Sequence, residues 1–407
     1  MAQGNYQAQQ LYLSNPIINK QIEDIYADLD AYTYEITETE SNRFDTVSLY
    51  VVLPPLRYEN RLIKGFYLSE SVDLLNKVLP QLSQSFFSLA YAMGCSYSWS
   101  KTADVYSCLY KNPQRIAWFR RMHPDRKNQA FIPLDDTDFL NEYIIAPRPI
   151  QQKDIDLLCV ARLSPEKNIP IIAQALKIYR QKYPKNQIMM TWIIGDKSFN
   201  PQNIDNLHPA KQTEWKKIVS VLGNPFDYIK IIPYVDYYQE IPDYYSRSKV
   251  YILGSLLEGK NRSLCEAMSC NIPVICFQEF NQYARGKDHI FPEGAGLYAQ
   301  FEPESLADTI YTVLQNQTAF KPRMQYLKAR GRKNFFNICL DSIPYYQEMI
   351  PDYLPGQAFN SLWLDLAVQQ NYQMSLHDFL YGRSSKSHIR GLVKIYQTLR
   401  EWLPLYC

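Results

Sequence analysis

From residue 154 onward, short apolar runs alternate with longer stretches whose apolar residues recur at helical spacing. DLLCVARLS (156–164) predicts a buried strand running into a loop, and IPIIAQALKIYRQKY (169–183) predicts a helix. IMMTWIIGD (188–196), YIKIIPYV (228–235), KVYILGSL (249–256) and IPVICF (272–277) predict further strands. TEWKKIVSVLG (213–223), EIPDYYSRS (240–248), SLCEAMSC (263–270) and ESLADTIYTVLQN (304–316) predict the helices between and after them. Strands that are apolar on both faces and alternate with helices imply a parallel sheet covered on both sides. In such sheets ligands bind at the carboxyl ends of the strands. The unusual polar loops all follow strands: 162–167 after the first, Gly195-Asp196 after the second, 258–263 after the fourth.

The first 150 residues are less periodic. DTVSLYVVLPPL (45–56), ADVYSCLY (103–110) and QAFIPL (129–134) read as strands, and SESVDLLNKVLPQLSQSFFSLAYAM (69–93) as one or two helices. The proline-bearing APRPIQQKD (146–154) reads as an interdomain linker. The predicted organisation is therefore 1–150, 151–340 and a helical tail, 341–407, whose clearest amphipathic stretch is SHIRGLVKIYQTLREWL (387–403).

Size and charge narrow the class. The 407 residues suit two domains or three, and a net charge of +2 argues against a dedicated nucleic-acid binder. The eight cysteines form no C-x-x-C pair, and Cys265, Cys270 and Cys276 lack the spacing of a zinc site, so free thiols in a reducing cytoplasm are expected. The N-terminus lacks the basic-then-apolar order of a secretory signal. The most apolar long stretch, FFSLAYAMGCSYSW (86–99), is shorter than the ~20 residues of a membrane span. A soluble protein is expected, with peripheral membrane contact still open.

The chemistry concentrates in two loops. Arg162 and Lys167 stand between a strand and a helix, where a guanidinium fork and an ammonium can meet a diphosphate beside the helix N-terminus; ordinary solvated charges are the alternative. In LLEGKNRSLCEAMSCNIPVI (256–275), Glu258 and Glu266 lie eight positions apart around Gly259, Lys260, Asn261, Arg262 and Ser263. Glu258 ends a strand and is positioned to face a crevice. Ser263 and Glu266 fit the S-x-x-E capping box, a purely structural reading for Glu266. The amides of 259–263, entering a helix, offer an anion or hydroxyl cradle. Lys260 and Arg262 either join that cradle, pair with the glutamates or face solvent. Cations, amide donors and carboxylates on one sheet edge suit a sugar nucleotide.

These stretches, in this order, resemble the C-terminal, donor-binding domain of family 4 glycosyltransferases of the GT-B fold. The matching pieces are ARLSPEKNIPIIAQAL, TWIIGD, IPYVDYYQEIPDYYSRSKVYIL, SLLEGKNRSLCEAMSCNIPVI and EGAGLYAQFEPESLADTI, with a weaker echo in AFIPLDDTDF (130–139). The resemblance implies an α/β architecture of two Rossmann-like domains facing across a cleft, with C-terminal helices crossing back to the N-terminal domain. It implies a retaining, metal-independent, cofactor-free transfer of sugar from a nucleotide-sugar donor, a UDP- or GDP-sugar, to a glycan, lipid-linked or small-molecule acceptor. Arg162 and Lys167 would hold the donor diphosphate, Glu258 would lie near the sugar and Glu266 would accept from the ribose. The loop amides from Gly259 to Leu264 would touch sugar and phosphate, and Tyr234-Val235 would lie against the base.

Three departures stand out. Lys260-Asn261 replaces the family's Phe-Gly, and Pro233 replaces a glycine before the base segment. The N-terminal half does not open on the family's strand and glycine-rich loop. Acceptor-side candidates are His123, Arg120 and Arg121, within a run of six cations against one acid between residues 111 and 127. That run is either a solvated basic face or a contact for an anionic acceptor or membrane at the cytoplasmic side. A non-catalytic GT-B protein that binds a nucleotide sugar or glycan, and a GT-B epimerase, are the competing readings.

Overall fold

The computed structural model describes residues 145–236, 240–258, 261–282, 291–328 and 330–349, with shorter stretches between 50 and 142. Contacts divide the chain into two compact units, Met1–Asp135 with Phe335–Cys407, and Asp136–Asn334. The predicted helix at 387–403 lies outside the described residues.

The first unit holds a five-stranded sheet of β1 (Tyr50–Leu53), β2 (Gly65–Ser69), β3 (Phe86–Ala90), β4 (Val105–Cys108) and β5 (Ala130–Pro133), ordered as in the sequence. β1 pairs antiparallel with β2, and the remaining pairs are parallel. The three stretches read as strands in the sequence supply β1, β4 and β5. The helical reading of 69–93 fails over its second half, because Leu82–Ser85 is a short helix and Phe86–Ala90 is the central strand. A five-residue apolar run buried on both faces carries no period that separates strand from helix. Phe86, Leu89 and Ala90 are all buried there.

The second unit is a six-stranded, all-parallel sheet: β6 (Ile155–Val160), β7 (Met190–Ile193), β8 (Ile229–Ile232), β9 (Ser248–Ile252), β10 (Val274–Phe277) and β11 (Gly296–Ala299). Five of these were legible as apolar runs; β11 was not. The spatial order is β8-β7-β6-β9-β10-β11. Helices α1 (Ile169–Lys182), α2 (Pro209–Leu222), α3 (Ile241–Arg247), α4 (Arg262–Ser269), α5 (Pro303–Gln315) and α6 (Pro322–Leu327) complete it. All but α4 carry proline at their first or second position. There the missing N–H has no helical partner to lose.

Alternation along the strands sends side chains into two cores. Leu157, Cys159, Trp192, Ile252 and Phe277 pack with α1, α2 and α5. Leu158, Ile193, Tyr251, Leu253 and Cys276 pack with α3, α4 and α6. Cys159, Cys265, Cys270 and Cys276 are free and buried, and burial pushes the Cys159 thiol up to about 12. Part of the tyrosine excess is accounted for here, since Tyr179, Tyr245, Tyr251 and Tyr326 are core residues.

The boundary differs from the expected linker. Residues 146–154 lie within the second unit, which begins at Asp136. Leu140 and Ile145 are buried in its core, and the Arg148 amide donates to Ser246 Oγ at 2.8 Å while its guanidinium donates to Asp243 at 2.9 Å. The prolines make this stretch extended, but the apolar residues ahead of it tie it down. After α6 come α7 (Arg332–Ser342) and α8 (Pro344–Met349). Tyr346 of α8 donates from its hydroxyl to the carbonyl of Lys64 at 2.9 Å, and Phe87 of β3 meets the Tyr345 ring edge-on. No helix among the described residues is long and apolar enough to cross a membrane.

Candidate active site at the switch point of the second sheet

The winding of the second sheet reverses between β6 and β9. β7 and β8 add on one side of β6, and the chain then returns to place β9 on the other. Loops leaving the carboxyl ends of two such neighbours diverge in opposite directions and leave a crevice. The loop after β6 carries Arg162 and Lys167, and the loop after β9 carries Glu258 and leads into α4.

These two loops are fastened together. Pro165–Lys167 forms one tight turn, and Asn168 follows in the left-handed conformation (φ 50°, ψ 34°) to start α1. Asn tolerates that conformation better than most residues. Its side-chain amide donates to the carbonyl of Gly254 at 2.9 Å. A Cβ on Gly254 would meet the Lys167 carbonyl oxygen at 2.4 Å, so the close approach of the loops requires glycine. The result is an ion pair between Lys167 Nζ and Glu258 Oε1, whose side chains are only 12% and 17% exposed. Ser255 Oγ donates to the same oxygen at 2.6 Å. Glu258 lies on a two-residue strand, Leu257–Glu258, paired with Asn281–Gln282. Arg162 is exposed and, among the described residues, its guanidinium has no hydrogen-bonded partner. Glu166, beside it, is held below the usual carboxylate range, mainly by the Ser164 hydroxyl that donates to it at 2.6 Å, then by the nearby Lys167 and Arg162 cations.

The capping box is not present. The N-cap of α4 is Asn261, with extended backbone (φ −83°, ψ 114°), and its Oδ1 accepts from the Leu264 amide at 2.9 Å. Asn is among the strongest N-cap residues, and it takes the role two positions before Ser263 could. Ser263 donates to Asn261 Oδ1 at 2.8 Å, which uses its only hydroxyl proton. Tyr251 Oη, 2.7 Å away, is then the donor to Ser263. Glu266 takes other partners. It accepts from Tyr245 Oη at 2.9 Å and pairs with Arg262 Nε at 3.1 Å. Glu266 is 3% exposed. Burial, with the Glu266 charge beside it, pushes the Tyr245 phenol far above its ordinary range, so it stays a donor.

The remaining candidates are dispersed. Tyr234 is exposed after β8, with Lys197 Nζ 4.3 Å from its ring centroid, whereas the Val235 side chain is part of the core. Leu264 is likewise a core side chain, and its amide is already engaged by Asn261. Asp196, at the end of β7, is lowered to about 2 by hydrogen bonds from Lys211 and Ser198. Arg120 and Arg121 are exposed in the first unit; Gly259, Lys260 and His123 lie outside the described residues. Sequence reasoning missed Asn168, Ser255, Tyr245 and Tyr251. Of these, only Asn168 carried a local signal, an Asn immediately before the Ile-Pro that opens a helix.

Residues 141–334 match the family model described as Glycosyl transferases group 1. The matched segment nearly coincides with the second unit and spans just under half of the chain. No curated protein matches the chain. Among solved structures, sucrose-phosphate synthase from Thermosynechococcus elongatus is 20% identical over 68% of this chain and 71% of its own, with a TM-score of 0.41. The C-terminal domain of a group 1 glycosyl transferase from Francisella tularensis is 18% identical over 46% of this chain and 92% of its own, with a TM-score of 0.34. A glycosyltransferase from Rickettsia africae is 13% identical over 69% and 80%, with a TM-score of 0.46. The family match over the doubly wound unit supports sugar transfer as the activity of this chain.

Proposed function

We propose that the chain is a retaining glycosyltransferase of the family 4 kind, which moves a sugar from a UDP- or GDP-sugar to a glycan or lipid-linked acceptor without a metal. The observation that carries this is the contact of Lys167 with Glu258 across the switch point, with the exposed Arg162 on the same loop as Lys167. One loop supplies cations for a leaving diphosphate, the other a carboxylate for sugar hydroxyls, and glycine at 254 keeps them within reach. In this reading the bond from the anomeric carbon to the diphosphate breaks. The acceptor oxygen bonds to that carbon on the same face, and the acceptor proton passes to the departing phosphate oxygen. Arg162 and Lys167 neutralise the charge that develops there. Glu266 accepts from the ribose, and Tyr234 lies against the base. Arg120, Arg121 and His123 are assigned to an anionic acceptor in the cytoplasm or at a membrane surface.

The test is donor hydrolysis and transfer over a panel of UDP-, GDP-, ADP- and CMP-sugars. Lys167→Ala is expected to lower turnover on the order of 100-fold, the usual loss when one preorganised donor to a developing anion is removed. Nucleotide binding without turnover of any donor would instead favour a non-catalytic sugar-nucleotide binder. That second reading is supported by Asn261, whose side chain is committed to capping α4 where the family has a flexible glycine.

A further inference from the structure

Glu266 is a buried carboxylate, and such a group keeps its charge and its direction only when fixed donors surround it. Its two named partners differ in kind. Arg262 lies one helical turn earlier on α4 and its side chain is 43% exposed, so a long, solvated arm reaches over the carboxylate. Tyr245 comes from a separate helix, α3, and is fully buried. Its ring packs at 6.0 Å from the Tyr251 ring, and few torsions are left to it. Its hydroxyl stands 2.9 Å from Glu266 Oε2 and 3.2 Å from the carbonyl of Ser263. With one proton to give, the phenol directs it at the charged oxygen, where the bond is stronger. The α4 helix on its own therefore does not hold Glu266 in place; a rigid ring 21 positions upstream shares in fixing its Oε2.

We propose that Tyr245 is a positioning residue for ribose recognition, holding Glu266 Oε2 so that the carboxylate accepts from the ribose hydroxyls of the donor. This rests on the assignment of Glu266 to the ribose made above. Arg262 trims the charge of the same carboxylate from the solvent side, while Tyr251, bonded to Ser263, sets the first turn of α4.

The test uses the full chain and calorimetric titration with UDP, GDP, ADP and CDP, each beside its 2′,3′-dideoxy counterpart. The wild type is expected to bind its preferred ribonucleotide at least about tenfold tighter than the dideoxy form, about the worth of one charge-assisted hydrogen bond. Tyr245→Phe keeps the ring and is expected to bring that ratio close to one, with the dideoxy affinity unchanged. A purely structural role would weaken both forms together or neither, and either result overturns the proposal. Glu266→Asp, which draws the carboxylate back from Tyr245 by one methylene, is the second variant should Tyr245→Phe fail to fold; retention of the wild-type ratio there also overturns it. The two layers separate cleanly. A Glu266→Gln variant that keeps the ratio removes Glu266 from the ribose. A Glu266→Gln variant that loses it, beside a Tyr245→Phe variant that keeps it, removes Tyr245 alone. A chain that binds none of the four nucleotides overturns the sugar-nucleotide reading and this inference with it.

Discussion

Glu258 and Glu266 stand eight positions apart on opposite sides of one helix start, and the fold holds them in opposite ways. Glu258 ends a two-residue strand, keeps part of its side chain in solvent, and pairs with a lysine delivered by another loop. Glu266 is in the interior, fixed by a core tyrosine and a same-helix arginine. An ion pair that retains some solvent contact can exchange partners, whereas a buried, multiply bonded carboxylate cannot do so without a large desolvation penalty. The first glutamate is thus built to change partners when a ligand arrives, and the second is set beforehand. In the proposed reaction that division is useful, since the diphosphate must take Lys167 from Glu258 while the ribose meets a site already formed.

The sharpest way to break the comparison is to neutralise Glu258 while keeping its shape. Glu258→Gln is expected to lower transfer on the order of 100-fold, through loss of the carboxylate at the sugar. Binding of the bare nucleoside diphosphate is expected to stay equal or tighten, because Lys167 loses its competing counter-ion. Calorimetry with the nucleoside diphosphate, beside the transfer assay, reads both. Weaker diphosphate binding in Glu258→Gln would mean that the Lys167–Glu258 pair persists in the complex and that Glu258 is no more exchangeable than Glu266.

A smaller effect is expected from the contact that brings the exchangeable pair together. Gly254→Ala drives a methyl group onto the Lys167 carbonyl oxygen, with Ile172 Cδ1 2.9 Å from it as well. Neither backbone nor core can yield cheaply, and a destabilisation of about 1–3 kcal/mol is expected. The same shift displaces Lys167 but leaves α3 and α4 alone. The ribonucleotide-to-dideoxy ratio should therefore survive in Gly254→Ala while transfer falls. Denaturant unfolding and the titrations measure the two consequences separately; a collapsed ratio would show that the two glutamates are not independently held.

How far the sequence reached follows the same line. The strand and helix runs of the second unit were legible because a sheet covered on both faces writes near-continuous apolar strands and amphipathic helices. The gathering of Arg162, Lys167 and Glu258 at one edge followed from each standing after a strand. The strand Phe86–Ala90 was missed because buried strands and buried helices share a composition over five residues. The start of the second unit was misplaced because prolines mark irregular backbone, and irregular backbone can still be anchored at Ile145 and Arg148. The tyrosine behind Glu266 was illegible for a different reason. A hydrogen bond between residues 245 and 266 depends on how α3 and α4 pack beneath the sheet, and neither helix records its neighbour in its own spacing.

The capping of α4 offers the smallest and most local probe, and it bears on the residue where this chain departs from the glycosyltransferase pattern it resembles. S-x-x-E at 263–266 satisfied the pattern of a capping box, yet Asn261 starts the helix. Asn261→Ala removes the acceptor of the Leu264 amide and of the Ser263 hydroxyl, and a loss of about 1 kcal/mol is expected. For a unit of this size that corresponds to a fall of roughly 2–4 °C in Tm. Asn261→Asp keeps the acceptor and adds an anion at the positive end of the helix, so its Tm should match or slightly exceed the wild type. Ser263→Ala, by contrast, leaves the Leu264 cap intact and is expected to cost less than Asn261→Ala. The reverse ranking in thermal melts would restore Ser263 as the cap and return Glu266 to a capping role, which would remove the contrast between the two glutamates at its root.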